Sequence, residues 1–337
     1  MEIAILPAGA WGTALAVPAA AGGHLVRLWR RQPGWAEAWD RGHPALPGLR
    51  LPENVVACAS PQEAVEGADL VILSPAGAGL RETCRLVRPH LRRDAVMVTV
   101  TKFIEPGTHM LAPEVVAAEL PEHRGRIVVL SGPNFAEEVA AGLPTGSVAA
   151  CRDLALADRV QESLMPDRLR IYTNPDLTGV ALAGALKNVI ALGVGISDGL
   201  GMGDNARAAL ISRGLVEMAR LGRRMGASPL TFAGLAGVGD LVLTCTGDRS
   251  RNRRAGLALG RGQSADQFVA KTGLTVEGIA TTRAAWQLAQ RLGVRMPITE
   301  AIYRVLYEGL SPLAAMERLM ARPRAHELEE VAEAEGV

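Results

Sequence analysis

Ile3-Ala4-Ile5-Leu6-Pro7-Ala8-Gly9-Ala10-Trp11-Gly12 opens the chain with an apolar run, a turn of small residues and the start of a helical stretch reaching about Ala21. Strand, tight turn and helix in that order form a phosphate-binding corner. Small residues let the backbone approach a pyrophosphate, and the helix N-terminus meets it with amides and partial positive charge. Gly9 and Gly12 occupy two glycine positions of this dinucleotide fingerprint, and Pro7 stands at the first. Two glycines alone also fit an ordinary strand-to-helix turn, so the residues that follow have to decide.

They continue the alternation. His24–Trp29, Leu70–Leu73, Val96–Val100 and Ile127–Leu130 are further strand-like runs, Thr145–Ala150 is a weaker one, and helical stretches such as Gln62–Gly67 lie between them. This pattern predicts an α/β, Rossmann-type parallel sheet whose ligands gather outside the carboxyl ends of the strands. From Asp176 the strand signal stops. Asp176–Asp198, Asp204–Met225, Ala265–Ala270, Thr281–Leu292 and Thr299–Tyr307 have helical periodicity, which predicts an all-α second domain. The expected division is a dinucleotide-binding domain over 1–174, a helical substrate and catalytic domain over 175–322, and an acidic tail over 323–337 that frays.

Composition removes several function classes. The 337 residues carry 36 basic and 35 acidic side chains, a net charge of +1. That balance gives no electrostatic footprint for nucleic acid or an anionic membrane. The most apolar stretch, Val180–Ile196, is short, glycine-rich and broken by Lys187 and Asn188, so no membrane insertion is expected. The opening MEIAIL has no basic start or cleavage site, which points to a cytoplasmic protein. Cys58, Cys84, Cys151 and Cys245 form no CxxC pair, and neither a metal site nor a disulfide framework is expected.

Lysine usage is more telling. Lys102, Lys187 and Lys271 are the only three lysines, so 33 of the 36 basic residues are arginine. A chain that uses arginine for general surface charge keeps lysine where a compact, titratable amine is required. Lys187 sits inside the apolar helical stretch Gly184-Ala185-Leu186-Lys187-Asn188, where burial moves an amine toward a useful acid–base range. The alternative is a lysine that reaches past its neighbours to solvent. Lys102 follows the strand Val96–Val100, and Ser131-Gly132-Pro133-Asn134-Phe135-Ala136 follows the next one, both at the ligand edge of the expected sheet. Asp240, in Gly234-Leu235-Ala236-Gly237-Val238-Gly239-Asp240, offers Lys187 a carboxylate or caps a helix. Ser250-Arg251-Asn252-Arg253-Arg254 combines hydroxyl, guanidinium and amide donors at a helix start, a set suited to phosphate, although basic clusters are also common on solvated faces. At the end of the second strand, Arg30 and Arg31 replace the acidic residue that bonds the NAD ribose, so NADP(H) is favoured and NAD(H) stays open.

These residues together resemble the bacterial NAD(P)-dependent glycerol-3-phosphate dehydrogenase family, from Ile3 to about Leu319. The most specific stretches are Gly184–Gly203, Gly234–Thr246 and Ser250–Arg254, with Ala8–Ala16 and Ser131–Ala136 in the family's order. The resemblance implies reduction of dihydroxyacetone phosphate to sn-glycerol 3-phosphate for phospholipid synthesis. It implies Lys187 as the proton donor, Asp240 as its orienting partner, and Lys102 beside both substrate and nicotinamide. Gly132 and Asn134 would border the substrate, and Ser250, Arg251 and Asn252 would hold its phosphate. Around the cofactor it places Ala10, Trp11, Arg31, Ala136, Arg251 and Glu277, in addition to Gly9 and Gly12 of the fingerprint and Arg30 at the second strand end. The expected partners are a small phosphorylated substrate and, as an open option, a second copy in a homodimer.

Departures from the family pattern gather around the cofactor. Pro7 replaces the first fingerprint glycine, and Pro18 falls inside the first helix, where it removes a hydrogen bond. Phe103 stands after Lys102 where the family has glycine, placing a ring near the nicotinamide or demanding an unusual backbone. Ala181 stands where glutamate is common, and Ser74–Gly79 matches poorly. A catalytically silent NADP- or phosphate-sensing protein on the same fold is the competing reading. A related hydroxyacid or 6-phosphogluconate-type dehydrogenase is another, and the Ser250–Asn252 run speaks against it.

Overall fold

A computed structural model describes residues 1–40, 42–166, 168–324 and 327. Most of the expected acidic tail lies outside them. The chain divides into two compact units, Met1–Thr101 with Ala112–Leu177, and Lys102–Leu111 with Thr178–Val337. Lys102, which a division at 174/175 assigns to the α/β part, is therefore grouped with the helical unit.

The first unit is built on β1 (Glu2–Leu6), β2 (Leu25–Trp29), β3 (Val55–Cys58), β4 (Leu70–Leu73), β5 (Val96–Thr99), β6 (Ile127–Ser131), β7 (Thr145–Ala150) and β8 (Leu169–Asn174). These form one sheet in the order β3-β2-β1-β4-β5-β6-β7-β8. Neighbours run parallel, with β6/β7 the one antiparallel pair among the described strands. Ile3 of β1 pairs with Val26 on one side and Leu70 on the other. The order reverses direction between β1 and β4, and such a switch point opens a crevice beyond the strand carboxyl ends. Every residue of β4 and β5 is buried, as unbroken apolar runs in a sheet covered on both faces should be. The edge strand β8 alternates instead, with Leu169 and Ile171 buried and Arg170 and Tyr172 exposed.

The helices of this unit are α1 (Ala10–Ala21), α2 (Pro61–Val65), α3 (Leu80–Val87), α4 (Ala112–Glu119), α5 (Ala136–Ala140) and α6 (Leu154–Leu164). Pro18 does not end α1. The helix continues past it, with the Gly22 amide donating to the Pro18 carbonyl at 3.0 Å, and the ring is buried. Its missing N–H removes one bond within the last turns of the helix.

The second unit is helical: α7 (Leu177–Gly199), α8 (Gly203–Arg224), α9 (Pro229–Phe232), α10 (Asp240–Thr246), α11 (Arg251–Gly260), α12 (Ala265–Thr272), α13 (Glu277–Leu292), α14 (Pro297–Tyr307) and α15 (Pro312–Met320). A π-helical turn, Leu235–Gly239, leads into α10. Gly179–Ser197 of α7 is buried without interruption. By length and composition α7 would suffice to cross a membrane, at a mean hydropathy of 1.7, yet here it is enclosed by the protein's own helices. A helix apolar all round belongs in a core, and that setting gives Lys187 its environment.

Candidate active site

The polar centre of the helical unit is the carboxylate of Asp240. Its position follows from the glycine-rich approach: a Cβ on Gly237 would run into the Phe232 carbonyl, so that turn can close only around glycine. Asp240 is the first residue of α10, where the helix dipole favours negative charge, and it is wholly buried. One carboxylate oxygen accepts from Lys102 Nζ at 2.6 Å, and the other accepts from Lys187 Nζ. Lys187 Nζ also donates to Thr244 Oγ1 at 2.9 Å, and that hydroxyl donates to the Asp240 carbonyl at 2.6 Å. Two of the three lysines thus meet on one acid.

The electrostatics follow from that count. Two ammonium groups against one carboxylate leave a positive surplus in a place nearly closed to water, Lys187 being 8% exposed. Burial pushes the Lys187 ammonium down to about 8; Asp240 pulls it up, and the neighbouring Lys102 charge pushes the same way as burial. The arrangement can give up a proton near neutral pH and stabilise a negative oxygen beside it.

A chain of amides supports this centre. Asn188 Nδ2 donates to the Lys102 carbonyl at 3.4 Å, Asn252 Nδ2 donates to Asn188 Oδ1 at 2.9 Å, and the Gly278 amide donates to Asn252 Oδ1 at 2.9 Å. A Cβ on Gly278 would lie 2.7 Å from both the Asn188 carbonyl and Asn252 Oδ1, so this position at the start of α13 requires glycine. Ser250 is buried and caps α11, accepting from the Arg253 amide at 3.2 Å. Arg251 is exposed at the first position of α11, and Glu277 is half-buried at the first position of α13.

The dinucleotide corner lies in the first unit. Gly9 caps α1 with extended backbone and no side-chain acceptor, and nothing lies within 4 Å of where its Cβ would stand. A helix start carries amides without intrahelical partners, the feature a pyrophosphate uses, and the space beside Gly9 is open. Gly12 is the opposite case. Its Cβ would lie 2.6 Å from Ser74 Oγ, 3.0 Å from Ile5 Cγ2 and 3.1 Å from the Pro7 carbonyl, so it sets close helix–strand packing. Pro7 is absorbed by the turn: its carbonyl accepts from Ser74 Oγ at 2.8 Å, and the Ala8 amide donates to the Trp29 carbonyl at 2.7 Å. The poorly matching Ser74–Gly79 segment therefore helps to hold the corner. Ala10, Trp11 and Ala136 pack into one small apolar cluster. Arg30 is half-buried, and Arg31 is exposed and donates to Glu82 at 2.5 Å.

Other predicted residues have structural partners. Gly132, at φ +154°, would place a Cβ 2.9 Å from Ser147 Cα on β7. Asn134 donates to the Gly146 carbonyl at 2.9 Å and accepts from Ser147 Oγ at 3.1 Å, so both residues fasten their loop to β7. Phe103 demands no left-handed backbone, and its ring is 6% exposed. Thr244 and Asn188 were missed as site residues. Thr244 follows Asp240 by one turn, a spacing visible in the sequence, and Asn188 adjoins Lys187. Among the described residues, no group of three His, Cys, Asp or Glu side chains is placed to hold a metal.

Comparison with known proteins agrees over both units. The family model for the N-terminus of NAD-dependent glycerol-3-phosphate dehydrogenase matches residues 2–157, and that for the C-terminus matches 176–317. The chain is 81% identical over 335 residues to a glycerol-3-phosphate dehydrogenase (NAD(P)+) of Symbiobacterium thermophilum, covering 99% of this chain and 98% of that protein. It is 48% identical over 334 residues to that of Geobacillus kaustophilus, covering 98% and 97%. The crystal structure of glycerol-3-phosphate dehydrogenase from Coxiella burnetii superposes with a TM-score of 0.88 at 40% identity, covering 95% of this chain and 98% of that one. With both halves matched and the two-lysine centre in place, the chain belongs to the NAD-dependent glycerol-3-phosphate dehydrogenase family.

Proposed function

We propose that this oxidoreductase catalyses the reversible NAD(P)H-dependent reduction of dihydroxyacetone phosphate to sn-glycerol 3-phosphate, which then enters glycerophospholipid synthesis. The observation that carries this reading is the buried Asp240 carboxylate holding Lys187 and Lys102 at one point. In the reduction, Lys187 gives a proton to the carbonyl oxygen as it becomes an alcohol; in the oxidation, the neutral amine takes that proton back. Asp240 and Thr244 fix the direction of the Lys187 ammonium. Lys102 keeps a second positive charge close to the developing alkoxide. Binding at the remote phosphate holds the carbonyl in register, and the exposed Arg251 is the cation for that task, with Ser250 and Asn252 shaping the turn that presents it.

When bound, the nicotinamide supplies the hydride to the carbonyl carbon. Gly9, Ala10, Trp11 and Gly12 would hold the pyrophosphate at the start of α1, with Ala136 beside them. Arg30 and Arg31 would bind a 2′-phosphate, which would make NADPH the better donor, although Arg31 must exchange its Glu82 partner to reach it. The test is loss of NADPH absorbance with dihydroxyacetone phosphate, repeated with NADH and without substrate. Substrate-dependent oxidation, faster with NADPH, is expected. Binding of NADPH seen by fluorescence without turnover would replace this reading with a silent NADP-binding protein.

A further inference from the structure

Arg253 lies inside the basic run Ser250–Arg254, yet it faces away from any phosphate role. Its Nε and Nη2 donate to Asp198 Oδ2 at 2.9 and 2.8 Å, and its Nη1 donates to Asp248 at 2.9 Å. The other Asp198 oxygen accepts from Arg207 Nε and Nη2 at 3.0 and 2.9 Å. Asp198 is thus gripped at both oxygens by two guanidinium groups from α8 and α11, and its side chain is only 5% exposed. It sits in the last turn of α7, where the helix dipole opposes a negative charge, so helix stability does not account for it. About three turns separate it from Lys187, which places both on one side of the same helix.

The helix that carries the phosphate turn is fastened to α7 along the same line. A Cβ on Gly195 or Gly199 of α7 would run into the Arg253 or Leu257 carbonyl, and one on Gly256 or Gly260 of α11 into the Leu192 or Ile196 carbonyl. The two backbones therefore touch, and a contact of that kind transmits position without slack. Asn188 with Asn252 closes the crossing beside Lys187, and Asp198 with Arg253 closes it beyond the glycines.

We propose that Asp198 and Arg253 are positioning residues that set the distance between the phosphate-holding turn Ser250–Asn252 and the Lys187 amine. This rests on the reading of the reaction given above. The test compares dihydroxyacetone phosphate with dihydroxyacetone, which lacks the phosphate, in the parent chain, Asp198→Asn and Arg253→Lys. If the pair sets the register, kcat/KM for the phosphorylated substrate falls about tenfold or more in Asp198→Asn, while the slow dihydroxyacetone rate falls no more than about threefold. Arg253→Lys, which keeps the charge and loses the fork, should show a smaller fall with the same selectivity, and it serves where Asp198→Asn does not fold. An equal loss on both substrates means only fewer folded molecules, and this or unchanged kinetics overturns the proposal. A parent chain that does not favour the phosphorylated substrate contradicts the reaction itself, and is separately visible.

Discussion

The corner at Pro7–Gly12 and the centre at Lys187–Asp240 are built on opposite principles. The first works through backbone: open space before Gly9, a helix start, and a carbonyl of Pro7 held by Ser74. Any side chain that leaves the amides reachable will serve, so Pro7 replaces a glycine there and the turn still closes. The second works through particular atoms, two amines on one carboxylate with a hydroxyl beside them. No other residue types supply that chemistry, and every member of the set is present. Of the departures read from the sequence, Pro7 falls at the backbone corner and Pro18 within its helix, and Phe103 and Ala181 lie next to Lys102 and on the helix of Lys187, whose amines still meet on Asp240.

Five substitutions can break or sharpen that contrast. Lys187→Ala should lower kcat/KM about a thousandfold or more with NADPH binding retained; substantial residual turnover removes Lys187 from its role. Asp240→Asn leaves the buried Lys187 ammonium and the half-buried Lys102 ammonium without their carboxylate, and a loss of about a hundredfold or more is expected in the same assay. At the corner, Gly9→Val should raise KM for NADPH about tenfold with only the small fall in Tm that a poorer N-cap brings, because its Cβ enters open space. Gly12→Ala should instead lower Tm, because its Cβ meets Ser74 and Pro7; an unchanged Tm would refute the packing argument. Pro7→Gly should give the smallest effect, a decrease of about threefold or less in KM for NADPH, with none for dihydroxyacetone phosphate. A large gain there would mean that Pro7 obstructs the cofactor after all.

The same contrast explains what could be read in advance. The strands β1, β2, β4, β5 and β6 are announced by apolar runs, and the sheet they form follows from alternation with helices. The edge strands β3 and β8 were missed, because Val56 and Tyr172 look outward and no unbroken apolar run marks an edge. The antiparallel turn of β7 against β6 depends on pairing across the sheet, which sequence does not display. At the site, lysine scarcity singled out both amines, but their meeting on Asp240 is a contact between residues 138 positions apart in one case. Asn252 and Ser250 were expected at the phosphate; the hydrogen bonds that hold them to Asn188, Gly278 and Arg253 are equally non-obvious from their spacing. The grouping of Lys102–Leu111 with the helical unit is a property of packing alone.

The central claim is that one amine, Lys187, moves the proton in both directions. The measurement that tests it most directly is kcat/KM against pH for the reduction and for the reverse oxidation. Reduction needs the ammonium form, so its rate should fall as pH rises through about 8, the value to which burial lowers Lys187. Oxidation needs the neutral amine, so its rate should rise through the same value. Mirror-image limbs meeting near one pKa, and moving down together in Asp240→Asn, are the predicted result. Limbs that bend the same way in both directions, or that stay in place when the carboxylate is removed, would contradict it.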